Sequence, residues 1–174
     1  GTCEHQQGMA RPALSHFGLQ VALFLFRGDP QKLVQFAPRT SVVAVVDDFF
    51  KVEEAHLRFE QFNGEMSPLL RRFSFERGNS AAILAFNLDT QKIILTNQFR
   101  YPTYGNGHGW TIEIIAGMVD KGELPEESVQ REAMEEAGVT VSTFEHVSTF
   151  YPSPGGSSEQ IFLYYAEVSG KYAK

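Results

Sequence analysis

Residues 117–139 read GMVDKGELPEESVQREAMEEAGV and hold the clearest helix of the chain together with the loop that leads into it. The helix is predicted to begin after Leu124. Pro125 suits a first helical position, where its missing N–H has no intrahelical partner to lose, and Glu126 and Glu127 fall in the first turn, where the helix dipole favours anions. Val129, Ala133 and Ala137 recur at four-residue spacing and form a narrow apolar stripe, and Gly138 stands where a left-handed cap would close the helix. The same helix carries Arg131, Glu132, Glu135 and Glu136. Positions three and four apart share a face, so the three glutamates crowd one patch. Each like-charge pair there costs about 0.2–0.5 kcal/mol, and the dipole opposes anions in the C-terminal half. Two readings are open at this point: a solvated acidic face with Arg131 as its partner, or a site for a divalent cation, whose preference for hard oxygen ligands reverses the sign of each of those terms.

Outward from the helix the chain reads as strands. TSVVAVV at 40–46 is β-branched and apolar. Residues 50–62 and 65–76 flank Asn63-Gly64, a dipeptide suited to a tight turn, and predict a long antiparallel hairpin. A second hairpin is predicted from 80–87 and 92–99 around Asp89-Thr90, followed by a loop over 101–109 and a short strand at 111–115 that runs into Ala116-Gly117. Beyond the helix, 140–151 and 159–168 are strand-like and are separated by the turn-rich SPGGSS. The expected class is mixed α/β with mostly antiparallel pairing and little helix.

The 174 residues, 43% of them hydrophobic, provide for one domain with a real core. A formal charge of -6 argues against a non-specific nucleic-acid binder, which needs clustered Lys and Arg. The apolar run LQVALFLF at 19–26 is too short for a membrane span and lacks the flanks of a signal peptide; it reads as a buried strand or as sequence extraneous to the main domain. The single cysteine, Cys3, cannot form an internal bridge and leans towards a reducing, cytoplasmic setting. The five histidines show no ligand spacing, Ser153, Ser157 and Ser158 read as turn residues, and His108 as loop surface.

Gly117, then Glu123 after five residues, then REAMEEAGV after seven more resembles the signature of the Nudix hydrolases position by position. From about residue 49 to 168, FNGEMSPLLRR, FERGNSAAILAF, NQFR, IEIIAGMVDKGE and SPGGSSE are similar to the ADP-ribose pyrophosphatase branch, including Pro154 fifteen residues beyond Val139. The resemblance implies a Nudix-type α/β/α sandwich with a mixed sheet, preceded by an N-terminal antiparallel strand region. The expected organisation is an unmatched segment at 1–38, a dimer-forming β region at 39–77 and the Nudix hydrolase domain at 78–174.

It implies Mg²⁺, or Mn²⁺, held by Glu132, Glu136 and the carbonyl of Ala116, with Glu135 as a further ligand or water-mediated partner and Arg131 orienting the glutamates. Arg100 is expected to hold a substrate phosphate, Glu159 to bind the nucleoside part, Pro154 to belong to the substrate-binding set, and Phe49 and Arg72 to come from the second subunit of a homodimer, stacking on the base and contacting the ligand. The implied reaction is Mg²⁺-dependent cleavage of ADP-ribose to AMP and ribose 5-phosphate. The alternatives are another nucleotide sugar such as GDP-mannose, or a nucleotide-binding module without turnover. In that branch the general base is a glutamate on a loop whose counterpart is expected beyond Lys174, so the chain reads as one whose last segment is missing, the alternative being a replaced base and a fold closed differently.

Overall fold

A computed structural model describes residues 41–170. The segment 1–38 and the predicted strand at 19–26 lie outside the described residues. β1 (Ser41–Asp47), β2 (Lys51–Leu57) and β3 (Leu70–Glu76) form a three-stranded antiparallel sheet in the order β1-β2-β3. The β2–β3 hairpin runs from Lys51↔Glu76 to Leu57↔Leu70 and closes through Asn63-Gly64, with Gly64 at φ +84° and its N–H donating to the Gln61 carbonyl at 2.9 Å. The predicted hairpin is present, with regular strands shorter than the predicted runs at 50–62 and 65–76.

The main sheet is built on β4 (Ser80–Asn87), whose nearly uniform burial fits the unbroken SAAILAF run. β10 (Ile161–Val168) lies parallel to β4 along its whole length, and β9 (Glu145–Phe150) pairs antiparallel with β10. The other edge of β4 is shared: β8 (Ile115–Met118) takes Ser80 to Ile83, and β5 (Lys92–Ile94) takes Ala85 to Asn87.

That sharing corrects two expectations. The predicted strand at 92–99 breaks at Leu95, because β8 already occupies the edge it would have to follow. Its second half becomes β6 (Thr96–Phe99), which pairs with β7 (Trp110–Glu113) as a separate two-stranded ribbon. The strand predicted at 111–115 divides in the same way, β7 into the ribbon and β8 into the main sheet, with β8 continuing through Ala116 and Gly117. The loop predicted at 101–109 begins with a single helical turn, α1 (Tyr101–Tyr104).

Helix α2 (Pro125–Ala137) follows its sequence signals. Leu124 N–H donates to Glu127 Oε2 at 2.9 Å, and Gly138 takes φ +63° to cap the other end. Its buried stripe of Val129, Ala133 and Ala137 packs with Ala81, Ile83 and Ala85 of β4, Ile115 of β8 and Tyr164, Ala166 and Val168 of β10 in one apolar core. The residues alternate along each strand, so one face of the sheet meets the helix. Tyr164, 2% exposed, sits edge-on to Phe144 and donates its hydroxyl to Glu126 Oε1 at 2.9 Å, joining the core to the first turn of α2. Tyr164→Phe keeps the ring and loses that bond; chemical denaturation is expected to show a loss of about 1 kcal/mol.

Among the described residues no helix is long and apolar enough to cross a membrane.

Candidate active site

β8 and α2 set the site between them. Glu132 and Glu136 stand one turn apart on α2, and both carboxylates reach the backbone of β8. Glu136 Oε2 accepts the Ala116 N–H at 3.2 Å, while the other oxygen accepts the amide of Gln98 from β6. Glu132 lies directly over Gly117, where an added Cβ would overlap its carboxylate. Gly117 is not needed there for an unusual φ; it is needed because a side chain would take the space of Glu132.

Arg131 binds the loop to the helix. Its Nε and Nη2 donate to Glu123 at 2.9 and 3.0 Å, Nη1 donates to Glu132 at 2.6 Å and to Glu135 at 3.2 Å, and Nη2 also reaches the Met118 carbonyl at 3.1 Å. The residues between Gly117 and the helix are thereby folded back onto it. Glu123 receives a further N–H from Asp120 at 3.0 Å. The paired guanidinium first, and that N–H second, depress the Glu123 carboxyl to about 2. A depressed carboxyl contributes stability that is complete above its ordinary value of 4.5 and is lost as pH falls from there through 2. Acid titration by circular dichroism is therefore expected to show stability falling below about pH 4.5, with a smaller loss in that window for Glu123→Gln.

The three glutamates do not share one environment. Glu132 and Glu136 converge on Ala116-Gly117, whereas the Glu135 side chain is 59% exposed and turns towards Arg131. Among the described residues no three His, Cys, Asp or Glu side chains gather as a ligand group. Two carboxylates over a glycine cradle beside strand backbone are nonetheless hard oxygen donors of the kind a divalent cation takes, so the residues fit such an ion.

The predicted substrate residues are distributed unevenly. Arg100, next to β6, is held by Glu113 of β7 through a two-point pair, with Nε at 3.1 Å and Nη2 at 2.9 Å. This pair raises the affinity of the guanidinium for its proton and depresses the Glu113 carboxyl. Pro154 lies in the exposed loop at 153–158, which is tied to β3 by the Phe75 N–H to the Gly156 carbonyl at 2.8 Å. Glu159 lies just beyond that loop, at the foot of β10. It is 8% exposed and turned inward, accepting the Ser80 hydroxyl at 2.5 Å and Arg77 Nη1 at 3.3 Å. Phe49 is 77% exposed on the bend between β1 and β2, in edge contact with Phe50, and Arg72 on β3 donates to the Arg71 carbonyl; neither bonds to the carboxylates of α2. His108 is exposed as expected and accepts the Trp110 N–H through Nδ1 at 3.1 Å.

Gln98 and Glu113 escaped the sequence reading. The signal was available in part: Gln98 precedes Arg100 by two residues and shares its strand face, so period two points both side chains the same way.

A mixed sheet carrying a strand–loop–helix unit with converging carboxylates is a framework suited to holding a cation against a phosphorylated ligand. The NUDIX domain pattern matches residues 76–174, and the chain belongs to the Nudix family. The chain is 38% identical over 126 residues to an ADP-ribose pyrophosphatase of Escherichia coli (strain K12), covering 72% of this chain and 60% of that one. It is 34% identical over 132 residues to an ADP-ribose pyrophosphatase of Haemophilus influenzae, covering 74% and 61%. A GDP-mannose pyrophosphatase of Yersinia enterocolitica is 38% identical over 122 residues, covering 69% and 63%. The matched part thus spans about three fifths of the length of the ADP-ribose pyrophosphatases. A solved structure of an ADP compounds hydrolase superposes with a TM-score of 0.57 at 22% identity, covering 79% of this chain and 70% of that one, which establishes likeness of fold.

Proposed function

We propose that this chain carries the metal- and phosphate-binding part of a hydrolase that cleaves the diphosphate of ADP-ribose to AMP and ribose 5-phosphate. The observation that carries this reading is the convergence of Glu132 and Glu136 on Ala116-Gly117, with Arg131 holding the loop in place. Glu132, Glu136 and the carbonyl of Ala116 would hold Mg²⁺ or Mn²⁺, with Glu135 available as a further or water-mediated ligand. When bound, such an ion neutralises charge on phosphate oxygens and lowers the pKa of a bound water. Arg131 keeps Glu132 oriented through a charge-assisted bond, and Arg100 presents a fixed guanidinium to a substrate phosphate.

Pro154 and the rest of the 153–158 loop would border the nucleoside. Glu159 would act there through its hold on Ser80 and Arg77. The β region at 39–77 would form a homodimer, placing Phe49 and Arg72 of one subunit at the site of the other. The exposed apolar side chains of Val43, Val46, Phe49 and Phe73 on that region support this, and sedimentation at micromolar concentration is expected to give a dimer. The lone cysteine supports a cytoplasmic setting.

The ADP-ribose reading has the support of the two pyrophosphatases named for that compound, and the GDP-mannose pyrophosphatase keeps a second substrate in view. The deciding assay measures phosphatase-labile phosphate released by the 174-residue chain from ADP-ribose, GDP-mannose and UDP-glucose with Mg²⁺. Fastest release from ADP-ribose is expected. Faster release from GDP-mannose would transfer the assignment, and Mg²⁺-dependent binding without product would show that these 174 residues bind a nucleotide without the base that turnover needs.

A further inference from the structure

The ribbon of β6 and β7 has one polar face. Thr96 pairs with Glu113 and Gln98 with Thr111, and Arg100 follows in the same phase. Two functional side chains of the proposed site are held from this face. Gln98 donates to Glu136, and Glu113 grips Arg100 at two points while accepting the hydroxyl of Thr111. The Arg100 and Glu113 side chains are 42% and 29% exposed, so their pairing is not forced by burial.

The geometry points to Glu113 as a positioning residue that keeps Arg100 away from Glu136. Arg100 stands two residues after Gln98 on the same face, about 6–7 Å along the strand, and Gln98 already touches Glu136. An arginine side chain can cover that span, and the Glu136 charge attracts Arg100. Released from Glu113, the guanidinium would pair with Glu136 and compete with a cation for its oxygens.

Held by Glu113, it spends Nε and Nη2 on the ribbon, while Nη1 has no acceptor among the described residues and remains for a substrate phosphate. The two-point grip also settles in advance the rotamer freedom an exposed arginine would otherwise lose on binding. This assignment rests on the proposed function, because it takes Glu136 as a metal ligand.

The test is Mn²⁺ binding to the full chain, followed by electron paramagnetic resonance of the free ion, for wild type, Glu113→Gln, Glu113→Asp, Arg100→Ala and Glu113→Gln/Arg100→Ala. Glu113→Gln is expected to weaken Mn²⁺ binding about tenfold, within the range for partners that orient metal ligands. Glu113→Asp, whose shorter arm loosens the grip, is expected to weaken it less and in the same direction. Removing Arg100 is expected to restore binding in the Glu113→Gln background and to change it little in the wild type, because only the released arginine competes.

Equal tightening by Arg100→Ala in both backgrounds would mean that simple charge summation explains the data, and would overturn the proposal. So would unchanged Mn²⁺ binding in Glu113→Gln, or, where that variant is unfolded by circular dichroism, unchanged binding in Glu113→Asp. A wild type that binds no Mn²⁺ would overturn the metal reading of Glu132 and Glu136, and this inference with it; binding by the wild type with no effect at Glu113 sinks the inference alone.

Discussion

Gly117→Ala is expected to leave the protein folded and to slow the proposed hydrolysis of ADP-ribose by about 10–100-fold. The added methyl group would occupy the space now filled by the Glu132 carboxylate. Overpacking a rigid core costs about 1–3 kcal/mol, because neighbouring backbone or buried rings must shift. Here the obstructing atoms belong to the outer part of a glutamate side chain, which can rotate towards solvent. The fold then loses little more than the Arg131–Glu132 contact, and partly exposed pairs of that kind are worth about 0–1 kcal/mol. A fall of only about 2–4 °C in Tm is expected. The proposed site loses far more, because a carboxylate turned outward no longer points at Ala116-Gly117. Thermal unfolding beside a hydrolysis assay checks both halves. Near-normal turnover with an intact Tm would show that Glu132 does not need its place over the strand.

The different fates of residues in the sequence reading follow from how far away their determinants lie. Helix α2 is written in its own residues: Pro125 starts it, Val129, Ala133 and Ala137 give it a buried stripe, and Gly138 ends it. The β2–β3 hairpin is equally local, since Asn63-Gly64 lies between the two strands that pair. The divisions at Leu95 and Ile114 are not local. They arise because β8 and β5 share one edge of β4, and no window over 92–99 contains that information. Glu159 is the sharpest case in the site. Its inward turn depends on Ser80, 79 residues earlier, and on Arg77 beside it, so a motif that names the glutamate says nothing of which way it faces. Gly117 was legible as a fixed position of the family pattern, but its physical reason, the approach of Glu132, required the helix to be placed against the strand.

Glu136→Gln is expected to separate activity from stability in opposite directions. The substitution is almost isosteric: its one oxygen can accept the Ala116 N–H, now 3.2 Å from the carboxylate, and its NH2 can donate to Gln98 once the Gln98 amide turns its oxygen inward. It removes one of the crowded charges. Glu132 and Glu135 lie four and one residues away, and relief of the i,i+4 repulsion contributes about 0.2–0.5 kcal/mol. A neutral group also suits the end of α2 better than an anion does, because the C-terminal dipole is negative. Tm is therefore expected to stay level or rise slightly.

Turnover is expected to fall by about 10³-fold or more, since several kcal/mol of transition-state charge stabilisation rest on metal coordination and each 1.36 kcal/mol is a factor of ten. A residue whose removal relaxes the fold while stopping the reaction is one whose local cost is maintained for function. If Glu136→Gln instead hydrolyses ADP-ribose at the wild-type rate, the acidic patch is a solvated helix face and the metal assignment fails. If it loses both stability and activity, the Glu136 bonds to Gln98 and Ala116 are structural, and the carboxylate charge is not what the site requires.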